Sequence, residues 1–327
     1  MLRRLAALLT IGAFAGLALV ARVGAEERRP NGFDISGALV DGAMILEGGP
    51  ARDRIRSVDA PEYVAPQEAS FVRPVDPVLG VALDGVAHAY PIHLLEYHQI
   101  VNDVISGHPV VLAFDPLSGV PSAWRREVDG KVLEFGVSGL IYNAQFLLFD
   151  RETESLWAAW EGRAIAGPLA GKRLERLEVR QEPMGAWFQR HPDTVVLDRP
   201  DKTRIDYRHS PYSTYWVSEK VPFEVRARDD RYHPKEVVIG LEVDGATRAY
   251  LGSILTAEGG RIVDEFQGRK VRIAYDSDSS TFQWQVPEDV RVTDAYWFAW
   301  KAFHPETEIW HDRAKDAPEK KDRGSSP

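Results

Sequence analysis

The feature that most constrains this chain is that one stretch of it occurs twice. VLGVALDGVAHAY begins at Val78 and VIGLEVDGATRAY at Val238. The correspondence continues through IVND from Ile100 and IVDE from Ile262, then GHPVVLAFD from Gly107 and GRKVRIAYD from Gly268. It returns as AWFQRHPDT from Ala186 and AWKAFHPET from Ala299. The second copy is shorter, and what it lacks falls between Asp276 and Ala299. Doubling speaks to architecture. The surplus of the first copy is where a specialised function is expected.

Asp84-Gly85, Asp129-Gly130 and Asp244-Gly245 each interrupt an alternating apolar run, the signature of a two-residue hairpin turn. Residues 91–98 predict a short helix with proline in its first turn. Strands are expected at 110–114 and 146–149, and a second helix from Pro183 to Gln189 that stops before His191-Pro192. The recurring His191-Pro192-Asp193-Thr194 and His304-Pro305-Glu306-Thr307 read as a structural helix stop. The expected fold is α+β and strand-rich. It consists of two homologous repeats of unequal length, packed about a pseudo-twofold axis or folded separately.

Residues 1–25 read as an export signal. Arg3 and Arg4 precede an uncharged apolar run at 5–20, and Val23-Gly24-Ala25 fits a small-residue cleavage site. The run is shorter than the ~20 residues that span a bilayer, and no later stretch is long enough. The expected location is therefore periplasmic or secreted, with no stable membrane span after cleavage. The remaining boundaries are a flexible lead-in at 26–52, the long repeat at 53–200, a linker at 201–233, the short repeat at 234–312 and a disordered charged tail at 313–327. The formal charge is −9, and cleavage removes only basic residues, which argues against nucleic acid as a partner. There is no cysteine, hence no disulfide and no thiol chemistry.

Several stretches together resemble the exported bacterial domain-of-unknown-function family number 3179. They are VLGVALDGVAHAYPIHLLEYHQIVNDVISGHPV, FGVSGLIYNAQFLLFDRETESLWAAWEGRAIAGPLAG, RHPDTVVL, HPKEVVIGLEVDG and WFAWKAFHPETEIW. The resemblance implies a Tyr-Cys-Pro-Leu-Cys-Gly motif where this chain has Phe114-Asp115-Pro116-Leu117-Ser118-Gly119. A cysteine pair at that spacing cycles as a disulfide or holds a soft metal; aspartate and serine do neither.

Candidate residues follow from chemistry. His98, with Asp103 five residues on and Asp115 expected nearby, suits a hard divalent metal site or an oriented acid–base pair. Asp115 and Ser118 form a polar turn that suits a ligand or a cap. Ser138, Tyr142, Asn143 and Trp157 lie in the surplus of the first copy and are candidate pocket-lining residues. The acids Asp150, Glu152, Glu154 and Glu161 read as a solvated edge rather than a glycosidase pair. No HExxH, P-loop, dinucleotide fingerprint or Ca²⁺ loop is present. The expected function is a non-catalytic module that binds a small ligand or an exported protein partner, with its pocket in the first repeat. The alternative is a metal-binding accessory protein or metal-dependent enzyme using His98 and Asp115. No cofactor is identified beyond that divalent metal.

Overall fold

Each Asp-Gly pair does turn a hairpin, with both residues at positive φ: 49° and 80° at Asp84-Gly85, 51° and 83° at Asp244-Gly245. The computed structural model describes residues 29–200 and 204–312. The expected export signal at 1–25 and charged tail at 313–327 lie outside the described residues.

Strand makes up 41% of the structure and helix 13%; five small sheets are arranged as the blades of a five-bladed β-propeller, and Glu127–Val128 with Lys131–Val132 form a separate two-stranded ribbon. Sheet one runs Arg180–Pro183, Pro77–Leu83, Val86–Pro91, Val195–Leu197 and Tyr63–Val64. Sheet two runs Arg176–Leu177, Val120–Arg125, His108–Asp115 and Ile100–Ile105. Sheet three runs Ile45–Glu47, Phe135–Tyr142, Gln145–Asp150, Leu156–Ala158 and Arg163–Ala166. Sheet four runs Arg291–Tyr296, Val237–Val243, Ala246–Leu251 and Glu308–Ile309. Sheet five runs Arg261–Phe266, Arg269–Asp276 and Thr281–Gln285. In sheets one and four, the strand after the aromatic helix returns parallel to the hairpin, while the main pairings are antiparallel.

Apolar clusters join neighbouring sheets. Leu79 and Tyr90 of sheet one pack with Val101 and Leu112 of sheet two. Val111 and Trp124 of sheet two pack with Phe135 and Trp157 of sheet three. Trp160, just beyond Leu156–Ala158, packs with Val238 and Trp300 at sheet four. Ile239 and Tyr250 pack with Val271 and Phe282 of sheet five. Arg180–Pro183 then meets Thr281–Gln285, which closes the ring.

This corrects the expected α+β fold of two unequal repeats. The helices Ile92–His98, Met184–Arg190, Gly252–Ala257 and Trp297–Phe303 have at most seven residues each. At two turns they cap sheet ends and cannot form a layer of their own. The segment at 53–200 builds three sheets and the segment at 234–312 builds two, all within one ring. Ile45–Glu47, from the stretch expected as a lead-in, pairs with Leu140, Ile141 and Tyr142. Among the described residues no helix is long and apolar enough to cross a membrane.

Candidate functional site

Sheets one, two, four and five line a cavity of about 380 Å³. Pro91 ends its strand in extended geometry (φ −60°, ψ 126°) and starts the helix Ile92–His98. Ile92 and Glu96, four apart on that helix, share the face that lines the cavity. Glu96 is 6% exposed, and its Oε2 is buried without a hydrogen-bond partner. Burial pushes its carboxyl up to about 7, a bond from Ser210 opposing it. Asp294 and Tyr296 alternate on one face of Arg291–Tyr296 and reach the same cavity. Burial pushes Asp294 up to about 7 despite Arg180 and Arg176, and raises Tyr296 as well. Gln181 also lines the cavity, and its Oε1 is a further buried acceptor without a partner. Phe114, Val238 and Phe282 supply apolar wall.

Gly119, at φ +71°, lies against Tyr296: a Cβ there would sit 3.1 Å from the ring. The stretch expected as a linker is strapped across the neighbouring loop. Tyr215 Oη donates to the Leu117 carbonyl at 2.8 Å and Trp216 Nε1 to the Pro116 carbonyl at 3.2 Å. Lys235 holds the strap's end, donating to the carbonyls of Ser218 and Lys220. Pro77, Ile92 and Glu96 also border a wider, open basin of about 1050 Å³ that contains Arg73, Arg199 and Arg208.

Of the candidate metal and ligand residues, Asp115 and Ser118 are brought together, while His98 and Asp103 go elsewhere. Asp115 accepts from Ser118 Oγ at 2.8 Å, the Leu117 amide at 2.9 Å and the Phe146 amide at 3.1 Å. Burial raises its pKa, and these bonds oppose the rise. His98 is buried elsewhere, with Nδ1 2.9 Å from the Arg56 carbonyl and Nε2 2.7 Å from Tyr207 Oη. Asp103 accepts from the hydroxyls of Tyr63 and Tyr90 and lies 2.8 Å from His88 Nδ1. Burial acts to raise the Asp103 pKa, but the bonds from His88, Tyr63 and Tyr90 outweigh it and the carboxyl is lowered. Among the described residues no group of three or more His, Asp or Glu is placed to hold a metal.

The pocket expected in the surplus of the first copy is not formed by its candidates. Ser138 Oγ accepts from the Leu140 amide at 3.0 Å and donates to the Leu147 carbonyl. Tyr142 accepts from Arg226, and Asn143 Nδ2 donates to the Ala302 carbonyl at 3.0 Å. Trp157 is fully buried and donates to Asp150 Oδ2 at 2.8 Å. Asp150, expected on a solvated edge, is itself buried and also accepts from the Thr153 amide and hydroxyl, each at 2.7 Å. Sequence reasoning missed Glu96 and Asp294. An acid four residues from Ile92 on a short apolar helix was a readable signal for Glu96; nothing local marks Asp294.

A family model described as protein of unknown function (DUF3179) matches residues 52–291. No curated protein and no solved structure matches the chain.

Proposed function

We propose that this chain, which belongs to the DUF3179 family of proteins of unknown function, is a non-catalytic binding module whose ligand occupies the cavity lined by sheets one, two, four and five. The ligand is a small, largely apolar molecule ending in an amine-type donor. The observation that carries this reading is the buried, unpartnered Oε2 of Glu96 on the cavity wall. A buried carboxylate oxygen without a donor is costly, and a ligand ammonium removes that cost. Gln181 Oε1 asks for a donor in the same place, and Asp294 adds a second carboxyl. The volume of about 380 Å³ suits a small ligand held by apolar walls and a few polar groups. The hydroxyls of Ser118 and Ser138 are already engaged with Asp115 and Leu147, which favours binding over nucleophilic chemistry. A site of action outside the cytoplasm is part of the proposal and rests on residues 1–25 of the sequence.

The test is a thermal-shift series of aryl and alkyl amines against alcohols of the same shape. Amines are expected to raise the melting temperature of the parent and not of Glu96→Gln. Their affinity should rise as pH passes through about 7, where Glu96 becomes charged. If no amine binds, or the glutamine variant responds equally, the proposal fails.

A further inference from the structure

Four of the five junctions between neighbouring sheets are filled by apolar clusters. The fifth, between sheets one and five, is instead a groove of about 710 Å³. The contrast traces to individual residues. At the junction of sheets three and four, Phe303 of the helix Trp297–Phe303 stacks on Trp160, with ring centroids 4.5 Å apart and planes 8° from parallel. In the correspondence of AWKAFHPET with AWFQRHPDT, the position of Phe303 is taken by Arg190. Arg190, at the end of Met184–Arg190, lines the groove and pairs with Glu182.

Sheet five supplies the opposite wall. Arg261 is opposite Ala274 and Val263 opposite Arg272, so these four side chains share one face. Arg261 and Arg272 are exposed, and neither has an acidic partner among the described residues. Arg180 lies over the Trp284 ring at 3.7 Å and completes the cationic lining. Four arginines and Glu182 line the groove, in a chain whose formal charge is −9. Arg190 is paired with Glu182 and Arg180 with Glu178 at 2.6 Å, which leaves Arg261 and Arg272 as the uncompensated pair. Burial, and after it the charge of Arg180, lower the pKa of Arg190, and Glu178 opposes them.

We propose that the groove between sheets one and five is a second binding site, for an anion carrying two or more carboxylate or phosphate groups. Planar guanidinium forks match the oxygens of both groups. Arg261 and Arg272 stand at diagonal positions across the strand pair, roughly 7–8 Å apart at the backbone, a spacing that lets each engage a different anionic group. The net negative charge of the chain opposes unspecific anion adsorption, so the binding must come from this local arrangement.

Titration calorimetry at low ionic strength, with pyrophosphate and with citrate as separate probes, tests the site on the full chain. At least one probe is expected to bind the parent, and the tighter of the two identifies the preferred oxyanion. The variant Arg261→Gln/Arg272→Gln should lose about tenfold or more in affinity. Both side chains are exposed, so its circular dichroism and melting temperature should match the parent. Equal affinity in the folded variant overturns the proposal, as does absence of binding to the parent by either probe up to about 1 mM.

Discussion

Gly80 lies directly against the indole of Trp187: a Cβ at Gly80 would be 2.4 Å from the ring. Gly240 stands to Trp300 in the same way, at 2.2 Å. Each indole then donates to a threonine, Trp187 to Thr194 and Trp300 to Thr307, both at 2.9 Å. This bond is the physical content of the recurring His-Pro-acid-Thr motif. The helices end at His191 and His304, just before the prolines. The threonine then anchors the tryptophan's indole N–H, and His191 and His304 pack their rings on the same indoles, at 4.1 Å and 4.0 Å. Gly80→Ala and Gly240→Ala are each expected to destabilise the fold by about 1–3 kcal/mol through overpacking. Urea denaturation measures this, and a change under about 0.5 kcal/mol in either variant contradicts the packing described.

Asp115→Ala should cost about 3 kcal/mol, because it strands two backbone amides and the Ser118 hydroxyl without an acceptor. Asp115→Asn keeps an acceptor oxygen and should cost less. The comparison is made by thermal melting. Equal effects of the two variants would show that the carboxamide cannot replace the carboxylate as acceptor here.

Asp103 predicts an acid limit to stability. Its folded pKa lies below the usual value of 3.8, so its contribution is complete above that value and is lost as pH falls through the lower, folded value. Asp103→Asn should lower stability at neutral pH and flatten the acid side of the stability profile. The profile is read by denaturant titration at stepped pH. An unchanged acid limb in the variant would remove Asp103 from its cause.

Glu96 predicts the opposite slope. Its folded pKa of about 7 lies above the usual 4.5. The folded state therefore holds the proton longer, and stability falls as pH rises through that window, levelling off above about 7. Asp294, raised from 3.8 to about 7, adds a slope of the same sign. Glu96→Gln cannot ionise, so it should exceed the parent by about 3 kcal/mol at alkaline pH and match it at acid pH. A stability gain that does not depend on pH would be traced to packing instead of ionisation.

The local elements were legible because they depend on neighbours in the chain. Asp84-Gly85 turns because both residues accept positive φ, and Pro91 marks the start of a helix, standing one residue before its first turn as an extended cap where its missing N–H costs nothing. Asp115 with Ser118 was legible as a polar turn for the same reason. The destinations of His98, Ser138, Asn143 and Trp157 were not. Each is engaged by a residue distant in sequence or by a sheet neighbour that spacing does not reveal: Arg56 and Tyr207 for His98, Leu147 for Ser138, Ala302 for Asn143, Asp150 for Trp157.

By itself the amino-acid sequence determined family resemblance, the corresponding hairpins and short helices, and the absence of any thiol chemistry. Only tertiary structure decided that those hairpins become five blades, that Glu96 and Asp294 line one cavity, and that one junction is polar where four are apolar. Hairpin formation is governed by contacts within a dozen residues. The arrangement of blades is governed by which sheet faces bury one another, a choice made between segments far apart in the chain.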